Sequence, residues 1–331
     1  MIAWSFRRLR TEVVAVAAAL TGVGLLALIT GRTMHHLYTS SGLSACLSAR
    51  GAGSDCSSLV DQFEARFSGM QILIIPLVLL PVVFGAFVGG PLVAREVEAG
   101  THRFFWTQGI TRRRWLAMSS GAALVVAGAA GAVYSLIALA WLDVTNRVTN
   151  ERFASLYDFQ GLMPIASTLL ATALGILAGA TLRRTVPAMA ATFVAFIAVR
   201  LPLAVLGRPH FASPLVTSVP FGQDDALERS GAWILSNETI DATGRVLGRD
   251  GSLNLSPLAG RCDALSAATT NRLPPRESID ACLEQLGVRS VLTYHPGGRF
   301  WTFQIIESGI LVGIAGIALA LAFVAVRRRI S

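Results

Sequence analysis

The chain has 331 residues, of which 53% are apolar and only 15% charged, with a formal net charge of +8. A soluble domain carries roughly 25% charged residues, so this is the composition of a membrane protein. Lysine is absent and all 28 basic residues are arginine, which excludes a G-x-x-x-x-G-K-[ST] phosphate loop and any Schiff-base lysine.

The N-terminal Ile2-Ala3-Trp4-Ser5-Phe6-Arg7-Arg8-Leu9-Arg10 sets Trp and Phe beside three arginines, as in a short helix lying at the headgroup level. Crossing about 30 Å of hydrocarbon takes about 20 helical residues. Six runs meet that length: Val13–Thr30, Met70–Ala94, Leu116–Leu142, Leu162–Leu182, Val186–Leu206 and Gln304–Val326. No small-residue cleavage pattern follows the first, so it is expected to be an uncleaved anchor rather than a signal peptide. The segment Gly31–Gly69 carries Cys46, Cys56 and, at Leu59–Phe67, apolar positions at helical spacing that predict a helix on the outer surface. Pro76 and Pro81 predict a kink in the second span. Gly85-x-x-x-Gly89, Gly175-x-x-x-Gly179 and Gly309-x-x-x-Gly313 each allow helices to approach closely.

The long loop Gly207–Phe303 is large enough for a small α+β domain. Trp233–Ser236 and Arg245–Leu247 flank a turn-like Asp241-Ala242-Thr243-Gly244 and read as a hairpin. Arg276–Leu286 reads as a helix carrying Cys282, and Ser290–Tyr294 as a strand. The expected organisation is residues 1–206 with five spans, 207–303 as the extracellular domain, and 304–331 as the sixth span and a cytoplasmic tail.

Orientation follows from the arginines beside the spans. Arg7, Arg8, Arg10, Arg95, Arg103, Arg112, Arg113, Arg114, Arg183, Arg184, Arg327, Arg328 and Arg329 fall on one side, against Arg32, Arg50, Arg66, Arg147 and Arg152 in the short loops of the other. Arginine concentrates in cytoplasmic loops, so both termini are expected inside. These arginines make inner-leaflet lipid headgroups the simpler partner, rather than nucleic acid. Cys46, Cys56, Cys262 and Cys282 all fall on the outer side, where disulfides persist. Four cysteines allow three pairings. Cys46–Cys56 and Cys262–Cys282 are favoured because each closes a local loop.

Catalytic chemistry is hard to find. H-E-x-x-H and G-x-S-x-G are absent, the neighbours His35 and His36 read as surface residues, and neither metal nor cofactor is expected in this chain. A proton-driven carrier would bury acids within its spans. None is expected deep in a span here, with Glu12 and Asp143 at span ends. Arg200 is the one charge expected well inside the fifth span, roughly 10 Å from its outer end. It reads first as snorkelling outward and second as a contact on a substrate path for an anion.

The loop at 95–115 is different. A topological signal needs only arginines, yet this loop adds Glu96, Glu98, a helix-stopping Gly100, a capping Thr101 and the run His102-Arg103-Phe104-Phe105-Trp106-Thr107-Gln108. Gly100 and Gly109 bracket about two helical turns, a short helix that a soluble motor could push. Arg95-Glu96-Val97-Glu98-Ala99-Gly100-Thr101 followed by Thr111-Arg112-Arg113-Arg114-Trp115 resembles the integral-membrane permeases of ATP-binding-cassette exporters of the type-two export class. The resemblance covers the whole chain in span count and topology. Arg208-Pro209-His210 and Arg299–Gln304, around the large last loop, resemble an actinobacterial subfamily.

That resemblance implies a multi-pass plasma-membrane protein of a bacterium that is not itself an enzyme. It implies a coupling helix built on Glu96, Glu98, Gly100, Thr101, Arg103, Phe104, Trp106 and Thr107, docked on a separate ATPase subunit that holds ATP and Mg. It also implies a second permease copy or paralogue, because six spans supply half of a two-fold transporter. The alternative is a membrane sensor that relays a signal through the same loop.

Overall fold

The computed structural model describes residues 10–49, 56–67, 71–99, 111–223, 227, 230–254, 256–258, 260–261 and 276–329. The six apolar runs become helices α1 (Arg10–Ser40), α4 (Gln71–Glu98), α5 (Arg112–Val148), α6 (Met163–Leu182), α7 (Thr185–Pro202) and α9 (Phe300–Arg329). Two shorter helices, α2 (Leu43–Ser48) and α3 (Ser57–Phe67), lie between the first two spans, and α8 (Arg276–Gln285) precedes the last. Each of the six is long and apolar enough to cross a membrane. The 37 residues of α5 extend about 55 Å at 1.5 Å per residue, well beyond the hydrocarbon core, so at least one end projects past it. The second span stays helical through Pro76 and Pro81.

The chain divides into two compact units: Met1–Val148 with Leu156–Arg208 and Thr302–Ser331, and Thr149–Ser155 with Pro209–Trp301. In the first unit, the second and fourth spans form the interior. Two thirds of their apolar windows are buried (67% each), against 6% for the first span and 11% for the fifth. Glycine makes this possible. A Cβ added at Gly175 would sit 2.8 Å from the Gly90 nitrogen and 2.9 Å from the Gly85 carbonyl oxygen, and one at Gly179 2.6 Å from the Gly90 oxygen. The Gly85/Gly89 and Gly175/Gly179 pairs therefore face each other, with backbone against backbone. Gly309 and Gly313 have nothing within 4 Å, so the third pair packs against no other part of the described chain.

Polar contacts add to this packing. Trp141 Nε1 donates to Thr30 Oγ1 at 2.8 Å, Tyr134 Oη to the Leu77 carbonyl at 3.2 Å, and Ser135 Oγ to the Gly161 carbonyl at 2.8 Å. A polar group without water nearby is costly unless bonded, so such side chains fix how the spans are rotated. The fourth span ends where Arg183 takes a left-handed φ of 58° and its N–H returns to the Gly179 carbonyl, a tight reversal that Arg184 extends into α7. Between α2 and α3, Cys46 and Cys56 form a disulfide with Cα atoms 6.0 Å apart.

The second unit is an antiparallel five-stranded sheet in the order β1-β5-β2-β3-β4, with β1 Leu215–Pro220, β2 Trp233–Ile240, β3 Val246–Arg249, β4 Ser252–Leu253 and β5 Arg289–His295. The β2–β3 turn forms because the Asp241 carboxylate accepts from Thr243 Oγ1 (2.5 Å) and from the backbone N–H groups of Thr243 and Arg245 (both 2.9 Å), while Gly244 takes a φ of +84°. The Thr243 hydroxyl foremost, with these N–H groups, holds the Asp241 carboxyl below its usual range. Helix α8 buries Leu283 and Cys282 against Leu247, Leu258 and Val288. Cys282 is also disulfide-bonded, and Cys262, the partner expected for it, lies outside the described residues. Buried His295 donates from Nε2 to the Pro209 carbonyl (3.0 Å) and accepts from Arg299 at Nδ1 (3.1 Å), the pattern of a neutral ring. Burial foremost, then the Arg299 charge, pushes its pKa below the ordinary histidine value, with the Pro209 bond opposing.

Candidate functional site

Within the first unit, four charges that are far apart in sequence meet. The sixth span supplies Glu307, whose side chain is fully buried. Gln304, Glu307 and Ser308 fall at i, i+3 and i+4, so they leave one face of α9 together, and burial continues down that face at Leu311, Ala315, Ala318, Ala322 and Val326. The fifth span supplies Arg200, and just past its end comes Arg208. Between them Pro202 lacks the N–H of a regular helix, and Leu203–Gly207 follow as a wide π turn closed by Arg208 N–H to the Leu203 carbonyl. Eight α-helical steps would leave Arg200 and Arg208 about 80° apart around the axis. The slower winding of the π turn reduces that offset, and π turns are frequent at functional sites. The connector between the third and fourth spans supplies Tyr157 and Asp158 on a single short turn.

The bonding is dense. Arg200 donates to both Glu307 and Asp158. Arg208 donates from Nε to Glu307 Oε2 at 2.8 Å, and from Nη2 to Glu307 Oε1 at 3.0 Å and to Asp158 Oδ1 at 2.6 Å. Its guanidinium also lies 4.1 Å from the Tyr157 ring centre, a cation–π contact. Two cations and two carboxylates cancel, so the cluster as a whole carries no net charge into a low-dielectric site. Asp158, 33% exposed, is the member most open to solvent, against 13% for Arg200 and 8% for Arg208. Burial first, then the Glu307 charge, raises the Tyr157 phenol above its ordinary range, so it stays neutral. Next to it, Gln304 Oε1 accepts from the N–H groups of Leu162 (2.9 Å) and Met163 (3.2 Å), while Gln304 Nε2 donates to the Tyr157 carbonyl at 3.1 Å. A side chain of the sixth span thus caps the N-terminus of the fourth.

This arrangement corrects two expectations. Arg200 does not snorkel: its side chain is largely enclosed and ion-paired. A carboxylate does lie inside a span, because Glu307 falls within the run assigned to the sixth. An ionisable residue in an apolar run is itself a signal, and Arg200 and Glu307 are the two members of this cluster that carry it in the sequence. Asp158 and Arg208 looked like ordinary loop and boundary charges. The chemistry available is that of a neutral ionic clasp. It joins the fifth span, the sixth span and the 157–163 connector, and an anion could enter only by displacing Asp158. Among the described residues, no group of three or more His, Cys, Asp or Glu side chains is placed to hold a metal ion.

At the arginine-rich end, Arg95 pairs with Glu12 at 3.1 Å. Glu98 Oε2 accepts from Thr185 N–H (3.1 Å) and Thr185 Oγ1 (2.8 Å), capping the fifth span with a negative charge where the helix dipole favours one. Glu96 lies two residues from the end of α4 and is half-buried. Gly100, Thr101, Arg103, Phe104, Trp106 and Thr107 lie outside the described residues.

No curated protein shows significant similarity to the chain. A family model does match, that of ABC-2 membrane transporter related proteins, over residues 16–208. That stretch covers more than half of the chain and contains most of the first span, the second to fifth spans and the loop between the second and third. With six membrane-length apolar helices, the chain belongs to the ABC-2 membrane transporter related family.

Proposed function

We propose that this protein is the membrane-spanning permease subunit of an ATP-binding-cassette exporter. A separate subunit hydrolyses ATP with Mg and drives export of the substrate. It docks on residues 95–115, and two permease chains, identical or paralogous, complete the pathway. The observation that carries this reading is a family match extending across a loop that joins acids, a Gly-Thr break and aromatics. Both termini are then cytoplasmic and residues 207–303 face outward, in keeping with the arginine distribution and with the disulfide at Cys46–Cys56. An impermeant maleimide should label a cysteine placed at Asn254 in intact cells and leave one placed at Ser331 untouched. The reverse pattern would contradict the orientation.

The docking is tested by Trp106→Ala and Glu98→Arg. Aromatic anchors at interface centres are worth about 2 kcal/mol or more, so Trp106→Ala should weaken co-purification with the ATPase by about 30-fold at normal abundance. Because Glu98 also caps Thr185, Thr185→Val serves as a control: it removes the hydroxyl bond to Glu98, keeps the backbone N–H bond and the acid, and should leave the complex intact. Full complex formation and transport in both Trp106→Ala and Glu98→Arg would show that this loop does not couple to the motor. Intact complex without translocation of any compound would favour the sensor alternative.

A further inference from the structure

A cleft of about 250 Å³ opens between the start of the third span and the end of the sixth. Its walls are Thr111, just before the third span, Arg113 and Leu116 within it, and Phe323, Val326 and Arg327 from the sixth. We infer that this cleft binds the phosphate headgroup of an anionic membrane phospholipid, held between Arg113 and Arg327, with its acyl chain against Leu116, Phe323 and Val326.

Four observations carry the inference. Arg113 and Arg327 are both exposed, and among the described residues neither has a carboxylate partner, unlike Arg95, Arg147, Arg200 and Arg208. Two unneutralised guanidinium groups on different helices form a positive mouth, and guanidinium matches phosphate through paired N–H donors. The third span begins there, with Arg114 N–H donating to Thr111 Oγ1 at 3.4 Å, so the positive end of a helix dipole adds to the field. The floor is apolar: Leu116 and Val326 belong to a buried cluster with Trp115, Phe323 and Ala322. Within that cluster the Trp115 Nε1 donor is buried and has no hydrogen-bond partner among the described residues. A charged mouth over a hydrocarbon floor fits an amphiphile better than a free anion, and basic pockets between spans at the cytoplasmic face bind acidic headgroups. Such a lipid would tie the third span to the sixth where direct polar contacts between them are lacking among the described residues.

The test needs neither the ATPase nor transport, so it can fail independently of the permease assignment. The full chain is purified in neutral detergent and titrated with phosphatidylglycerol, phosphatidylcholine or inorganic phosphate. Binding is read by native mass spectrometry and by the shift in thermal midpoint. Phosphatidylglycerol should bind and raise the midpoint while phosphatidylcholine does neither. Arg113→Gln with Arg327→Gln should weaken phosphatidylglycerol about 30-fold, two headgroup contacts being lost. Arg114→Gln, on the same helix but outside the cleft, should change it less than about twofold. An equal loss in Arg114→Gln would mean diffuse surface charge and overturn the site. Equal protection by inorganic phosphate would make it a free-anion site, and no preference for phosphatidylglycerol would abolish it.

Discussion

Glu307→Leu is expected to destabilise the protein by about 3–5 kcal/mol, the cost of stranding buried partners of a broken ion pair. Glu307 accepts from Arg200 and twice from Arg208, and its carboxylate is out of contact with water. Its loss leaves two guanidinium groups sharing one aspartate. Asp158→Leu should cost less, because a group one third exposed leaves a space that water can refill. The double variant Glu307→Leu with Arg208→Leu restores neutrality around the remaining Arg200–Asp158 pair. It should recover part of the loss, giving a coupling energy well above the few tenths found for independent sites. Thermal midpoints and abundance in membranes measure this. If Glu307→Leu falls within about 0.5 kcal/mol of the native protein, the clasp does not hold these helices.

The other large effect belongs to the centre of the first unit. Gly175→Leu should prevent the second and fourth spans from packing, and even Gly175→Ala should be clearly destabilising. The atoms that a Cβ would meet are the Gly90 nitrogen, the Gly85 oxygen and the Gly89 carbonyl carbon at 2.8, 2.9 and 3.0 Å. All belong to backbone and cannot rotate aside, so the helices must separate along their length. Overpacking typically costs about 1–3 kcal/mol, and a rigid contact of this kind lies at or above the upper end. Gly313→Leu is the matched control, because nothing among the described residues lies within 4 Å of that position. It should leave the folded monomer intact. Equal abundance and equal thermal midpoints for the Gly175 and Gly313 variants would show that the close approach is absent in the membrane.

The six spans were legible in the sequence because transfer of an apolar helix into hydrocarbon is a property of that segment alone. The same is true of the Asp241–Gly244 turn, where one carboxylate bonds to residues two and four positions on, and of α3 and α8, whose apolar spacing is local. Cys46 and Cys56 are separated by 10 residues, and so their pairing was also within reach. Partner choice over longer distances was not. Three Gly-x-x-x-Gly patterns look alike on paper, and only the packed bundle shows that two of them face each other while the third packs on nothing among the described residues. Strands β1 and β4 carry too little pattern to stand out and exist through their neighbours in the sheet.

The clasp is the clearest instance. Arg200 alone, with only its neighbours in view, has snorkelling as its lowest-energy option. Its actual partners lie 42 and 107 residues away, and those of Arg208 50 and 99. No local window contains those pairs. The tertiary structure decides, because a charge shut away from water is tolerable only where opposite charges arrive with it, and that convergence depends on how the spans pack.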